Sequence, residues 1–210
     1  MPAPSRYPIP ADRARAEVVI DRSRFVCTLA PAATPDAAQA VLHEVQAEFP
    51  GATHHCWAYV AGAPGSTSRI GLSDDGEPHG TAGRPMLTVL LHSNVGEIVA
   101  VVTRFYGGVK LGTGGLARAY ADAVNVTLGR LLTHEKVEYG ALTVTVAYAQ
   151  FSAVQHLLPS FEAKALSEVF AEGVTLQLRA PLERVADLRA AIGNATHGQA
   201  AFADDATAVE

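Results

Sequence analysis

The chain has 210 residues, 49% of them apolar, and a formal net charge of −5. That length is enough for one large core or two small ones. Even the longest apolar runs are short, such as MLTVLL at 86–91, which argues against a helical bilayer span. Charge is uneven: residues 1–138 carry 12 basic and 13 acidic side chains, residues 139–210 carry 4 and 8. The acidic C-terminal part argues against wrapping nucleic acid there.

The opening MPAPSRYPIP has no continuous apolar stretch, so no signal peptide is expected. Residues 1–14 are expected to be mobile. Cys27 and Cys56 are too few for a disulfide framework. Two free thiols and a cytoplasmic location are the expectation.

EVVIDRSRFVCTLA at 17–30 reads as two short strands or one bent strand. Thr34, Pro35 and Asp36 then form a helix start. Ala38, Val41, Leu42, Val45 and Phe49 give that helix one apolar face, and Pro50-Gly51 ends it. Strands are expected at 53–61 and 69–72, and a polar, glycine-rich loop at 73–85. A helix follows from about residue 82, with Pro85 in its first turn. Residues 97–106 read as a buried strand. Leu116, Tyr120, Val124, Leu128 and Leu131 mark a helix to about residue 132.

The pattern restarts near residue 136. A strand at 142–148, a helix at 150–161 and a hairpin across Glu172-Gly173 follow. A helix at 182–193 and a last strand at 198–203 complete the order βαββαβ, the ferredoxin-like split unit. The predicted division is therefore 1–14, 15–136, 137–203 and a disordered tail at 204–210.

Five glycines crowd positions 107–115 of RFYGGVKLGTGGLARAY, just before a helix. Gly107 and Gly112 have the spacing of a nucleotide-hydrolase phosphate loop, but Thr113 stands where the lysine belongs. Gly112, Gly114 and Ala117 fit the dinucleotide fingerprint formally, without room for the βαβα series it should open. What survives is general physics: amides at a helix start attract an anion. Arg104, Lys110 and Arg118 are near in sequence. Two readings stay open. The loop binds an external anion, or Asp74, Asp75 and Glu77 of SDDGEP dock on those amides from within.

Other constellations have a plain reading beside the sharp one. His54 and Cys56 alternate onto one face of a strand and His55 onto the other. With His79 and Asp74 or Asp75 they would make a metal site, but ligand spacing of the usual kinds is absent, so no metal is assigned. A buried, inert Cys56 is preferred over a nucleophile. Paired carboxylates at 74–77 suit acid–base work, yet Ser-Asp-Asp-Gly is ordinary turn chemistry. Phe105 and Tyr106 would stack a base or serve the core.

SDDGEPHGTAGRPML and RFYGGVKLGTGGLARAY together, with SRF at 23–25 and HHC at 54–56, resemble the YigZ/IMPACT family from about residue 15 to 203. His79 and Lys110 replace residues that are more often small and apolar in that family. The resemblance implies an α+β protein: a ribosomal protein S5 domain 2-like domain, then a ferredoxin-like one, a pair similar to domains IV and V of elongation factor G. It also implies a translation-linked binding protein, with no cofactor and no catalytic residue assigned. The first fold also serves small-molecule kinases, so an enzyme acting on a phosphorylated small molecule or nucleotide is the alternative. There Lys110 and Thr113 would hold phosphate, and a carboxylate of 74–77 would be the base or a magnesium ligand.

The expected contact surface comprises Arg104, Tyr106, Gly107, Gly108, Lys110, Gly112, Thr113, Gly114, Gly115 and Arg118. Ser73, Asp74, Asp75, Gly76, Glu77, His79, Thr81 and Arg84 would pack beside it, with Arg24, His54, His55 and Cys56 near. Expected partners are RNA, the ribosome or a regulatory protein, with neither a membrane nor DNA readout.

Overall fold

The structure, a computed structural model, describes residues 4–203. The chain divides into two compact units, 1–136 and 137–210. The expected tail at 204–210 lies outside the described residues.

The first unit runs β1 (Arg6–Pro10), β2 (Ala14–Ile20), β3 (Ser23–Pro31), α1 (Pro35–Glu48), β4 (His54–Val60), β5 (Ile70–Ser73), α2 (Gly83–His92), β6 (Ile98–Phe105), α3 (Gly112–Leu128) and β7 (Thr133–Val137). Five strands form one antiparallel sheet in the order β2-β3-β6-β4-β5. This is not the parallel sheet that a dinucleotide fold needs.

Alternation decides which residues meet which helix. Phe25, Cys27 and Leu29 of β3, Cys56, Ala58 and Val60 of β4, and Ile98, Ala100 and Val102 of β6 pack with α2 and α3. The opposite face packs with α1 through Ala30, Val99, Val101 and Ala38, Val41, Leu42 and Val45. Thr34 caps α1, its hydroxyl accepting from the Ala37 amide at 3.1 Å with Pro35 behind it.

Three expectations change. Residues 6–10, expected to be mobile, form β1, which pairs with β7. Pro8 and Pro10 hide this strand from a propensity reading, although a two-stranded ribbon tolerates prolines on its free edge. The polar THEKV of β7, exposed at Thr133, His134 and Glu135, gave no apolar alternation to read. Helix α3 starts at Gly112, inside the glycine run expected to precede it, and stops at Leu128, capped by Gly129, instead of reaching 132.

The second unit runs β8 (Tyr139–Val146), α4 (Tyr148–Leu157), a 3-10 turn (Leu158–Phe161), β9 (Lys164–Phe170), β10 (Val174–Pro181), α5 (Leu182–Ala195) and β11 (Ala201–Phe202). Its sheet is antiparallel in the order β11-β8-β10-β9, the ferredoxin-like arrangement. Val144, Leu176, Leu178, Leu188 and Ile192 are its buried centre.

Candidate functional site

The pairing register brings the sequence motifs to one end of the five-stranded sheet. Arg24 at the start of β3 lies opposite Phe105 at the end of β6. His54 at the start of β4 lies opposite Arg104, and Ser73 at the end of β5 opposite Trp57. The acidic loop leaves β5 and the glycine loop leaves β6, so both emerge from this end.

Between them is a buried polar cluster. Glu77 Oε1 accepts from Arg104 Nη1 at 2.6 Å and from the Tyr120 hydroxyl at 2.7 Å. Side-chain exposure of the ion pair is 6% for Arg104 and 4% for Glu77. Arg104 Nη2 donates to Ser23 Oγ at 3.4 Å, and its guanidinium lies over the Phe25 ring. Phe25 packs edge-on to Tyr120. The single proton of Cys56 Sγ has two acceptors in reach, the Asp74 carbonyl at 2.9 Å and the Tyr120 oxygen at 3.3 Å. One cluster thus ties β3, β4, β6, α3 and the acidic loop together. Burial pushes the Cys56 thiol up to about 12, and the Tyr120 phenol upward as well. Neither is a nucleophile or base at neutral pH. Burial also raises Cys27 to about 12.

Docking of the acids on the glycine loop is overturned. Asp74 caps the other helix: its carboxylate accepts from the amides of Gly80 (2.7 Å), Ala82 (3.0 Å) and Gly83 (2.9 Å) at the start of α2. Burial alone would raise its pKa, but these amides outweigh it and hold it below the ordinary 3.8. Asp75 Oδ2 accepts from the His55 amide at 2.6 Å, and His54 Nδ1 meets the Asp75 carbonyl at 2.7 Å. Ser73 Oγ accepts from the Asp75 amide, and Thr81 Oγ1 donates to the Pro78 carbonyl. Gly76, at φ 82°, makes the turn. The carboxylates of 74, 75 and 77 therefore all accept hydrogen bonds from within the chain, Asp75 from an exposed position.

The start of α3, by contrast, has no side-chain cap and no acidic residue in its first turn. Gly107 is where the loop is pinned: a Cβ there would stand 2.1 Å from the Arg22 carbonyl carbon. Its amide donates to Ser23 Oγ at 3.2 Å. Gly112, at φ 70°, turns the chain into the helix. Gly114 has open space around it and an ordinary φ, so the fold makes no demand for glycine there. Lys110, Thr113, Gly108 and Arg118 are exposed. The Tyr106 ring is 48% exposed, with the Arg104 guanidinium 5.5 Å from its centroid.

Two expected neighbours sit elsewhere. Arg24 and His55 lie on the α1 face of the sheet, because alternation sends them away from Arg104. Arg24 is paired with Glu17 at 2.9 Å and lies over Phe105. Burial holds the His55 imidazole below its usual pKa. His79 is fully exposed, 3.7 Å from Asp74, and Arg84 is exposed in the first turn of α2. Among the described residues no group of three or more His, Cys, Asp or Glu is placed to hold a metal ion. One residue escaped the sequence reading: Arg22, whose backbone touches Gly107.

Residues 21–128 match the Impact N-terminal domain, so the motifs that build this end of the sheet fall inside one family domain. The chain belongs to the IMPACT family. Residues 144–199 match DUF1949, a domain of unknown function. The chain is 42% identical to the IMPACT family member YigZ of Escherichia coli (strain K12), over 90% of this chain and 93% of that one. It is 41% identical to an IMPACT family member of Haemophilus influenzae, over 83% and 84%. The crystal structure of a hypothetical protein superposes with a TM-score of 0.67 at 40% identity, covering 99% of this chain and 98% of that one. No described helix of this IMPACT-family chain is long and apolar enough to cross a membrane.

Substitutions at four positions test the site's construction by thermal and denaturant unfolding. Asp74→Ala lowers stability by about 2 kcal/mol. Because the folded pKa of Asp74 is depressed, its contribution is present above the unfolded value and lost as pH falls through the folded one. Wild type therefore loses more stability below about pH 5 than Asp74→Asn does. Glu77→Ala leaves Arg104 buried without its counter-ion and costs about 3–5 kcal/mol, whereas Glu77→Gln keeps the acceptor and costs less. Gly107→Ala costs about 3 kcal/mol by clashing with backbone, while Gly114→Ala leaves stability unchanged or raises it by up to about 1 kcal/mol.

Proposed function

We propose that this IMPACT-family protein is a non-enzymatic, translation-associated regulator that binds its partner through the exposed glycine loop and the start of α3. One contrast carries the reading. The groups that would do chemistry are held in internal bonds, while the groups that would bind an anion face solvent. Asp74, Asp75 and Glu77 each hold internal hydrogen bonds, and Cys56 is buried. Lys110 and Arg118 are exposed, with no hydrogen-bond or ion-pair partner among the described residues, beside a helix start with no side-chain cap. A cationic surface around free amides favours phosphate.

The alternative, an enzyme on a phosphorylated small molecule, draws its base or magnesium ligand from residues 74–77. The helix cap already uses Asp74 and the ion pair Glu77, while Asp75 accepts from the His55 amide.

Co-sedimentation with purified ribosomes over a salt series tests the proposal. Wild type should pellet at low salt and be released as salt rises. Lys110→Ala/Arg118→Ala should weaken pelleting and flatten the salt slope by about 1 per charge removed. No pelleting at any salt, combined with a rise in melting temperature on adding nucleotide and magnesium, would overturn it in favour of the enzyme. In that case Lys110→Ala should remove the nucleotide response.

A further inference from the structure

The turn joining β2 to β3 is built against backbone preference. Ile20 pairs with Ser23, leaving Asp21 and Arg22 as the two central residues, at φ 45° and 66°. Two successive left-handed residues make a type I′ hairpin turn, whose second central position strongly favours glycine. Aspartate tolerates this region well; arginine adopts it at a cost. No side-chain bond of Arg22 among the described residues offsets that cost. The Arg22 side chain is exposed and has no hydrogen-bond or ion-pair partner among the described residues.

The turn is nonetheless fixed in place against the glycine loop. The Arg22 carbonyl group abuts Gly107, and Ser23 Oγ takes the Gly107 amide. Ser23 in turn is bonded to Arg104, whose guanidinium lies against the Tyr106 ring. The backbone of Arg22 is thus held beside the glycine loop, in which half-exposed Tyr106 stands four residues before Lys110.

We infer that Arg22 is a binding residue, retained at the expense of turn stability, and that the surface takes single-stranded RNA. Arg22 and Lys110 would hold successive phosphates, and a base would stack on the outer face of Tyr106. This rests on the binding reading above and names its partner class. The aromatic ring decides between partners: cations alone suit any polyanion, but a stacking platform beside them suits an unpaired base. A duplex keeps its bases stacked on one another and offers Tyr106 none.

Fluorescence anisotropy with a short labelled oligouridine, titrated at several salt concentrations, tests this beside thermal melting. Arg22→Gly creates the favoured Asp-Gly turn. Its melting temperature should equal or exceed that of wild type, while RNA affinity falls roughly three- to tenfold and the salt slope drops by about 0.7. Arg22→Lys should retain most of the affinity. Tyr106→Ala should weaken binding about fivefold or more with the salt slope unchanged.

A lower melting temperature in Arg22→Gly would overturn the argument that the turn carries arginine at a cost. Wild-type affinity in Arg22→Gly, with Lys110→Ala/Arg118→Ala still impaired, would remove Arg22 and leave the preceding reading standing. Ribosome pelleting without oligouridine binding, or equal binding of a duplex, would overturn the single-strand assignment alone.

Discussion

Glu77 and Arg104 meet as an ion pair almost shut off from water, and the end of the sheet is organised around them. Such a pair is costly to form, since both charges give up hydration. It persists because each partner is bonded further. Glu77 also accepts from Tyr120, and Arg104 also reaches Ser23 while lying over Phe25. The result fixes relative positions more than it adds net stability. A loop after β5, the last turn of β6, the β2–β3 turn and the middle of α3 are all referred to one buried point. Without it, the glycine loop would be joined to the sheet by little more than the Gly107 and Tyr106 amide bonds.

The acidic loop leads into α2 and the glycine loop into α3, and the two helix starts are treated oppositely. The start of α2 is filled from within by Asp74, whose three amide bonds keep it ionised. The start of α3 has neither cap nor acid. An unfilled helix start beside solvent satisfies its amides with water, a weak partner that an anion displaces readily. The acidic loop therefore does two structural tasks, capping α2 and anchoring Arg104, and performs neither for α3. Bracing by the acidic loop and openness of the glycine loop are compatible because they involve different amides.

Much of the fold was legible because the signals were local. Thr34-Pro35-Asp36 is a start signal that needs no tertiary information, and it caps α1 as expected. Alternation in HHCWAYV placed Cys56 and His55 on opposite faces correctly. The βαββαβ order of the second unit followed from hydrophobic periods and one Glu-Gly hairpin. The failures share a cause: they turn on choices between distant segments. Both α2 and α3 begin in glycine-rich sequence, so nothing local says which helix Asp74 caps. Arg24 and Arg104 look alike as isolated cations, yet strand register buries one beside Glu77 and pairs the other with Glu17 across the sheet. Strands β1 and β7 carry prolines and charges, and only their mutual pairing makes them strands. The Asp21-Arg22 turn lacks the glycine that announces its type, so Arg22 could not be singled out.

That last case separates two kinds of distinctive residue. Gly107, Asp74, Glu77 and Tyr120 are each demanded by the fold: steric contact, helix capping or a buried charge accounts for them fully. Their presence in long motifs is no argument for chemistry. Gly114, Lys110, Arg118 and Arg22 are different. Open space surrounds the first, the next two have no hydrogen-bond or ion-pair partner among the described residues, and the last sits where another residue would fold more easily. In the reading proposed above, the cations and Gly114 are the residues a ligand would meet. The buried ion pair and the Ser23 hydroxyl fix the loop and the turn that carry Lys110 and Arg22.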